Sequence, residues 1–175
     1  MKKIILFLQL IFSIGMSAQT TVESVQVADM DEGSPICGKS IDLHKRILQA
    51  YNCDSTLIVF ACDTTKKGKN TDTGYLYSLD ANTLEVQWQK SLKLSLSKLY
   101  GVCSKGVLLS STLKSTGKSL LTLSDTKTSR SLWTQYLYPV YFNDSLDIVI
   151  GLEKVGGSKT YAYRLSTGML LWDAE

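Results

Sequence analysis

The chain has a single histidine, His44, and this removes the His-rich zinc sites and most acid–base triads, which need several converging ligands or a positioned imidazole. Asp42, two places earlier, could share a strand face with it, but the pair reads as an ordinary surface or interface feature. Long apolar runs are scarce too. The longest, over residues 4–14, is too short to cross a bilayer as a helix, so no transmembrane anchor is expected. It follows Lys2 and Lys3 and precedes Gly15, Ser17 and Ala18, the layout of a signal peptide over residues 1–18, which implies export to the periplasm or the exterior. The first cysteine is Cys37, far from the cleavage region, so a lipid-anchored N-terminus is not supported. Losing Lys2 and Lys3 with the leader leaves 17 basic against 16 acidic residues, and the formal charge of +3 falls to +1. A near-neutral chain without a clustered basic face gives no support for nucleic-acid binding.

Phosphate-binding loops are missing as well. Gly151 to Thr160 (GLEKVGGSKT) has the look of one, but two residues separate Gly156 from Lys159 and a hairpin, rather than a helix, is expected to follow. Lys66, Lys67, Gly68, Lys69 and Asn70 read as an exposed hairpin loop, with a weak polyanion contact as the alternative.

What the chain does contain is a repeat. Tyr77 to Trp88 (YSLDANTLEVQW), Thr122 to Trp133 (TLSDTKTSRSLW) and Tyr161 to Trp172 (YAYRLSTGMLLW) align without a gap. A threonine (Thr83, Thr128, Thr167) stands five residues before each tryptophan, and in two copies an aspartate (Asp80, Asp125) stands eight before it. Alternation at Tyr77 and Leu79, and at Tyr161 and Tyr163, predicts a strand; Thr167-Gly168 predicts a turn and Leu170 to Trp172 a returning strand. With Leu84 and Ser129 in place of glycine, the other two turns are expected to be of another type or less tightly made. Upstream apolar runs, LIVFA at 57–61, VLLSS at 107–111 and IVIGL at 148–152, predict a further strand in each copy. Leu92 and Leu137, four places after two of the tryptophans, suggest an additional short linking strand.

These units resemble the blades of the quinoprotein-like, or PQQ-like, β-propeller, whose repeat has the form Tyr-Ala-Leu-Asp-Ala-x-Thr-Gly-x-x-Leu-Trp. The resemblance runs from Ala50 to Trp172, with departures at Leu84 in copy one, at Thr122, Ser124 and Ser129 in copy two, and at Arg164 and Leu165 in copy three. It implies an all-β fold: a partial β-propeller of three recognisable four-stranded blades (about 50–92, 100–137 and 140–175) plus an atypical N-terminal segment, 19–49, that could be an atypical blade. It also implies that Trp88, Trp133 and Trp172 dock between neighbouring blades. The structural repeat positions are then Tyr77, Leu79, Asp80, Thr83, Trp88, Asp125, Thr128, Trp133, Tyr161, Thr167, Gly168 and Trp172, with Asp80 and Asp125 capping turns rather than acting in catalysis.

The remaining segments are less patterned. Residues 30–40 (MDEGSPICGKS) read as a loop, and 47–50 as either strand or helical turn. Among the four cysteines, Cys53 and Cys62 flank one predicted strand and lie too far apart to bridge. Cys53 and Cys103 occupy equivalent places in successive blades, which argues against direct pairing unless the blades are close there; unpaired buried thiols and one real bridge both stay open. Tyr136, Tyr138, Tyr141 and Phe142 around Pro139 could form an exposed aromatic patch.

No catalytic residue, cofactor or metal is expected. The function that fits is a non-enzymatic interaction module or scaffold, similar in blade pattern to the barrel-assembly propeller lipoproteins without their lipid anchor, with a protein partner or self-association through open blade ends. The alternatives are a truncated quinoprotein-type dehydrogenase propeller, although the adjacent cysteine pair many of those enzymes carry is missing, or a remnant of a longer repeat protein. Three blades fall short of the about four needed to close a ring, so an open arc is expected.

Overall fold

The computed structural model describes residues 23–29 and 35–175, with side chains from residue 39 onward. The leader expected over residues 1–18 lies outside the described residues. Two strands, β1 (Glu23–Asp29) and β2 (Pro35–Ser40), pair antiparallel as a separate ribbon. Part of the segment read as a loop is therefore strand: Pro35 can open β2 because a first position in a two-stranded ribbon need not donate to a ladder.

Three four-stranded antiparallel sheets follow, each with its strands in sequence order. Blade one comprises β3 (Arg46–Cys53), β4 (Thr56–Thr64), β5 (Asn70–Asp80) and β6 (Val86–Lys93). Blade two comprises β7 (Ser97–Cys103), β8 (Gly106–Thr112), β9 (Ser119–Ser124) and β10 (Ser131–Tyr136). Blade three comprises β11 (Tyr138–Asn143), β12 (Ile148–Leu152), β13 (Thr160–Arg164) and β14 (Leu170–Ala174). Residues 47–50 are strand, paired with the buried β4, so the first sheet takes in residues 46–49. The linking strand suggested by Leu92 and Leu137 does not form: Leu92 belongs to β6, and Leu137 is a buried plug between β10 and β11 whose amide donates to the Ser119 carbonyl at 3.1 Å.

The apolar alternation of each strand feeds two different cores, because a propeller blade is covered on both faces. Ile58, Phe60 and Leu76 of blade one meet Leu99, Val107 and Leu109 of blade two. The other face of blade two, with Leu108, Leu121 and Leu123, meets Val149 and Leu165 of blade three. Val59, Ala61, Tyr77 and Leu79 point the opposite way, and there the cover is a short stretch of chain: Ile41 and Leu43, buried at 0% and 5% exposure, lie on the face of blade one in place of a preceding sheet.

The hairpins before the tryptophans correct the expectation of unlike turns. Leu84, Ser129 and Gly168 all take left-handed φ, at 61°, 57° and 69°. Their amides donate to the carbonyls of Asp80, Asp125 and Arg164 at 2.8, 3.1 and 2.8 Å. One turn geometry therefore serves all three sequences. In the copies that lack glycine, aspartate supports the strained position. Asp80 Oδ1 accepts the amides of Asn82 and Thr83, and Asp125 Oδ1 accepts those of Lys127 and Thr128 and the Thr128 hydroxyl. Copy three has Gly168 and no aspartate at that place, and Asp147 of the β11–β12 turn accepts the equivalent amide, that of Ser166, at 2.7 Å.

Candidate functional site

The side chains that organise this molecule sit at the seams between blades. Trp88, on β6, donates its indole N–H to the Thr126 carbonyl of blade two at 2.7 Å, and the Ser78 hydroxyl shares that acceptor. Trp133, on β10, donates to the Leu165 carbonyl of blade three at 2.8 Å. Thr126 and Leu165 are equivalent: each stands two residues before its turn threonine, Thr128 or Thr167. The indole thus buries its rings between sheets and satisfies its donor on the next blade's hairpin, which answers the polar cost of burying it. Gln135 adds a second bond across the same seam, from Nε2 to the Gly168 carbonyl at 2.8 Å. A Cβ on Gly168 would lie 2.7 Å from Trp133 Cγ, so glycine there admits the ring as well as the turn.

Trp172, on β14, holds the equivalent position and has no such cover. It is 44% exposed, against 9% for Trp133, and Met169, Leu170 and Leu171 beside it are exposed too. Its strand partner in the same face is Ala162. Blade three therefore ends the described arc with a face, bearing Ile150, Ala162 and Trp172, that no described sheet covers, whereas blade one begins it with a plugged one.

The hairpins β3–β4, β7–β8 and β11–β12 form a second line of seam contacts that sequence reading missed. Asp144 of blade three accepts both the amide and the hydroxyl of Ser104 of blade two, at 2.6 and 2.9 Å. Its only signal in the sequence is an Asp-Ser turn pair, which does not reveal a partner forty residues away. Cys53 lies with its thiol 3.4 Å from the Cys103 carbonyl, so the blades are close at this point. Both cysteines are nonetheless free, as is buried Cys62. Burial pushes both the Cys53 and Cys103 thiols above their ordinary range, and nearby Asp144 adds to the shift at each. A hollow of about 230 Å³ opens beside them, walled also by Asp54 and Asp144.

Chemistry elsewhere is sparse. Among the described residues no cluster of three or more His, Cys, Asp or Glu side chains is placed to hold a metal ion. His44 takes left-handed φ in the turn before β3, where its amide and Nδ1 both meet the Asp42 carboxylate, at 2.7 and 2.9 Å. The stretch 151–160 crosses from β12 into β13 through a turn closed by Glu153 N and the Lys159 carbonyl. Tyr136, Tyr138 and Tyr141 are exposed, but Phe142 turns inward against Tyr100, with ring centroids 5.7 Å apart. A rim cleft of about 520 Å³ between blades two and three is lined by Lys118, Tyr136, Glu153, Lys154, Tyr161 and Tyr163, among others.

Three successive four-stranded antiparallel sheets, packed face to face with tryptophans seated in the two seams between them, define the class: a partial β-propeller. No helix of the described residues is long and apolar enough to cross a membrane. Among solved structures, the chain is similar to the β-propeller domain of the Trilobed protease from Pyrococcus furiosus, described as having an open velcro topology. That likeness has a TM-score of 0.48 at 5% identity, over 76% of this chain and 43% of that one. It is similar also to a europium-containing methanol dehydrogenase (TM-score 0.47, 12% identity, 90% and 40% covered) and to BamB from Moraxella catarrhalis (TM-score 0.32, 16% identity, 72% and 50% covered). The chain thus spans half or less of each of these proteins. No protein-family model matches it, and no curated protein does.

Proposed function

We propose that this chain is an exported, non-enzymatic interaction module whose working surface is the open face of blade three. The observation that carries this reading is Trp172: two equivalent indoles are seated in seams, and the third is exposed in a face of the same apolar make-up. The leader-like residues 1–18 support export, and the repeat accounts for most of the distinctive side chains. The test is affinity capture from a periplasmic extract, with a crosslinker, using the mature chain as bait. A reproducible protein partner, or a second copy, is the expected recovery, and background alone would overturn the reading. Quinone-dependent reduction of a dye with an alcohol or a sugar would overturn its non-enzymatic part.

A further inference from the structure

The order of the strands separates charges that are nearly balanced in the chain as a whole. Each blade runs its strands in sequence order, and short links at 94–96 and 137 join one blade to the next, so the hairpins between second and third strands all turn at one end of the arc. Those hairpins, 65–69, 113–118 and 153–159, hold seven lysines and a single acid, Glu153. The first and third hairpins of the blades turn at the opposite end, where five acids stand against three bases. Lys159 is paired with Asp173 at 2.9 Å, but Lys66, Lys67, Lys69, Lys114, Lys118 and Lys154 are exposed and, among the described residues, in no ion pair. Asp63 and Asp72, at the same end, are engaged by Lys45 and by Ser95. A basic end is therefore free to attract an anionic partner.

The rim cleft of about 520 Å³ opens among these hairpins, within the size range of small-ligand sites. Lys118 lines it from blade two, Glu153 and Lys154 from blade three, with Tyr136, Tyr161 and Tyr163 as aromatic lining. Lys118 Nζ stands 5.6 Å from the centre of the Tyr136 ring and Lys159 Nζ 5.4 Å from that of Tyr161, which is itself stacked on Tyr163 at 6.2 Å. Ammonium groups and a neighbouring ring thus already occupy faces on which a nucleobase would stack. Glu153 repels a plain polyanion but accepts from a hydroxyl, and a concave cleft is not filled by a flat bilayer. A ligand that carries both anionic groups and hydroxyls on a ring satisfies the whole set.

We propose that this basic end binds an acidic polysaccharide. Its carboxylates pair with the hairpin lysines, and one sugar ring enters the cleft with a hydroxyl donating to Glu153. The cleft lies in the seam between blades two and three and is independent of the face that bears Trp172.

The test is calorimetric titration of the purified mature chain with polygalacturonate, at low and at physiological salt. Binding is expected, weaker at the higher salt because exposed charges are screened. Fully methyl-esterified polygalacturonate, single-stranded DNA and phosphatidylglycerol vesicles are each expected to bind at least roughly tenfold more weakly. Lys118→Gln combined with Lys154→Gln should weaken polygalacturonate binding roughly tenfold, whereas Lys105→Gln at the opposite end should leave it unchanged. Glu153→Ala separates the proposal from charge attraction alone: it is expected to weaken binding roughly threefold, although removing an acid from a basic surface would tighten a purely electrostatic contact. Urea midpoints of the variants, all at exposed positions, should match the parent and show that the fold is intact. No binding of polygalacturonate at low salt overturns the proposal. So does equal or tighter binding of the DNA, the vesicles or the esterified polymer, an equal loss from Lys105→Gln, or tighter binding by Glu153→Ala.

Discussion

At the scale of single residues, identical amino acids in identical repeat positions differ in worth because their neighbours differ. Trp133 fills a seam and donates to Leu165, so Trp133→Ala removes a large apolar body and leaves a buried carbonyl unpaired. A loss of about 3 to 5 kcal/mol is expected, read from the urea midpoint at unchanged slope. Trp172→Ala should cost less than about 1 kcal/mol, as for other exposed positions. Equal losses at the two sites would mean that blade three is covered in solution. Ser129 carries a different strain: its φ of 57° is unfavourable for any residue with a Cβ. Ser129→Gly relieves that strain but frees the unfolded chain, and a net gain below about 1 kcal/mol is expected in the same titration. Gain together with a blue-shifted Trp88 emission would show that the added space is used by the indole.

At the scale of the hairpin, carboxylates hold the turns. Hydrogen bonds from the amides of Thr83 and Asn82 pull the Asp80 carboxyl below its ordinary range, and those from the Thr128 hydroxyl and nearby amides do the same to Asp125. Ser95, through its amide and hydroxyl, lowers Asp72. Each folded-state value lies below the unfolded one, so the stabilisation is present above the unfolded value of about 3.9 and is lost as pH falls through the lower folded values. Denaturation midpoints should therefore hold steady down to about pH 5 and drop steeply below about pH 4. The double variant Asp80→Ala with Asp125→Ala should show a lower plateau and a shallower fall; an unaltered acid limb would remove these carboxylates from the account. Much of this element was legible, since an aspartate that can bond amides two and three residues on is a local signal. The common left-handed turn at Leu84 and Ser129 was not, because its strain is offset by that same aspartate and by packing.

At the scale of the molecule, the arc has direction. Ile41 and Leu43 close the first face, and blade three leaves the last one open. Paired substitution of Ile41 and Leu43 by alanine should cost several kcal/mol, at about 2 to 5 for each buried aliphatic, and should raise hydrophobic-dye binding in the native baseline as blade one is uncovered. A stability loss without new dye binding would mean that the exposed sheet finds another cover. The same scale separates the cysteines from their sequence reading. Cys53 and Cys103 are neighbours because blades one and two approach each other at their β3–β4 and β7–β8 hairpins, a proximity between residues fifty apart that no local pattern carries.

The sequence by itself determined the all-β character, the three hairpins, the turn threonines and the place of each tryptophan, because these depend on alternation and turn chemistry within about a dozen residues. Its place between two other copies also predicts that Trp133 is buried more completely than Trp172, as it is. Only the tertiary structure decided that β3 begins at Arg46, that Leu84 and Ser129 share the left-handed turn of Gly168, and that Ile41 and Leu43 cover the first face. The physical reason is that a blade face acquires its burial from the sheet opposite it. That sheet is built from residues tens of positions away, so the same apolar side chain is core in one seam and open surface at the end of the arc.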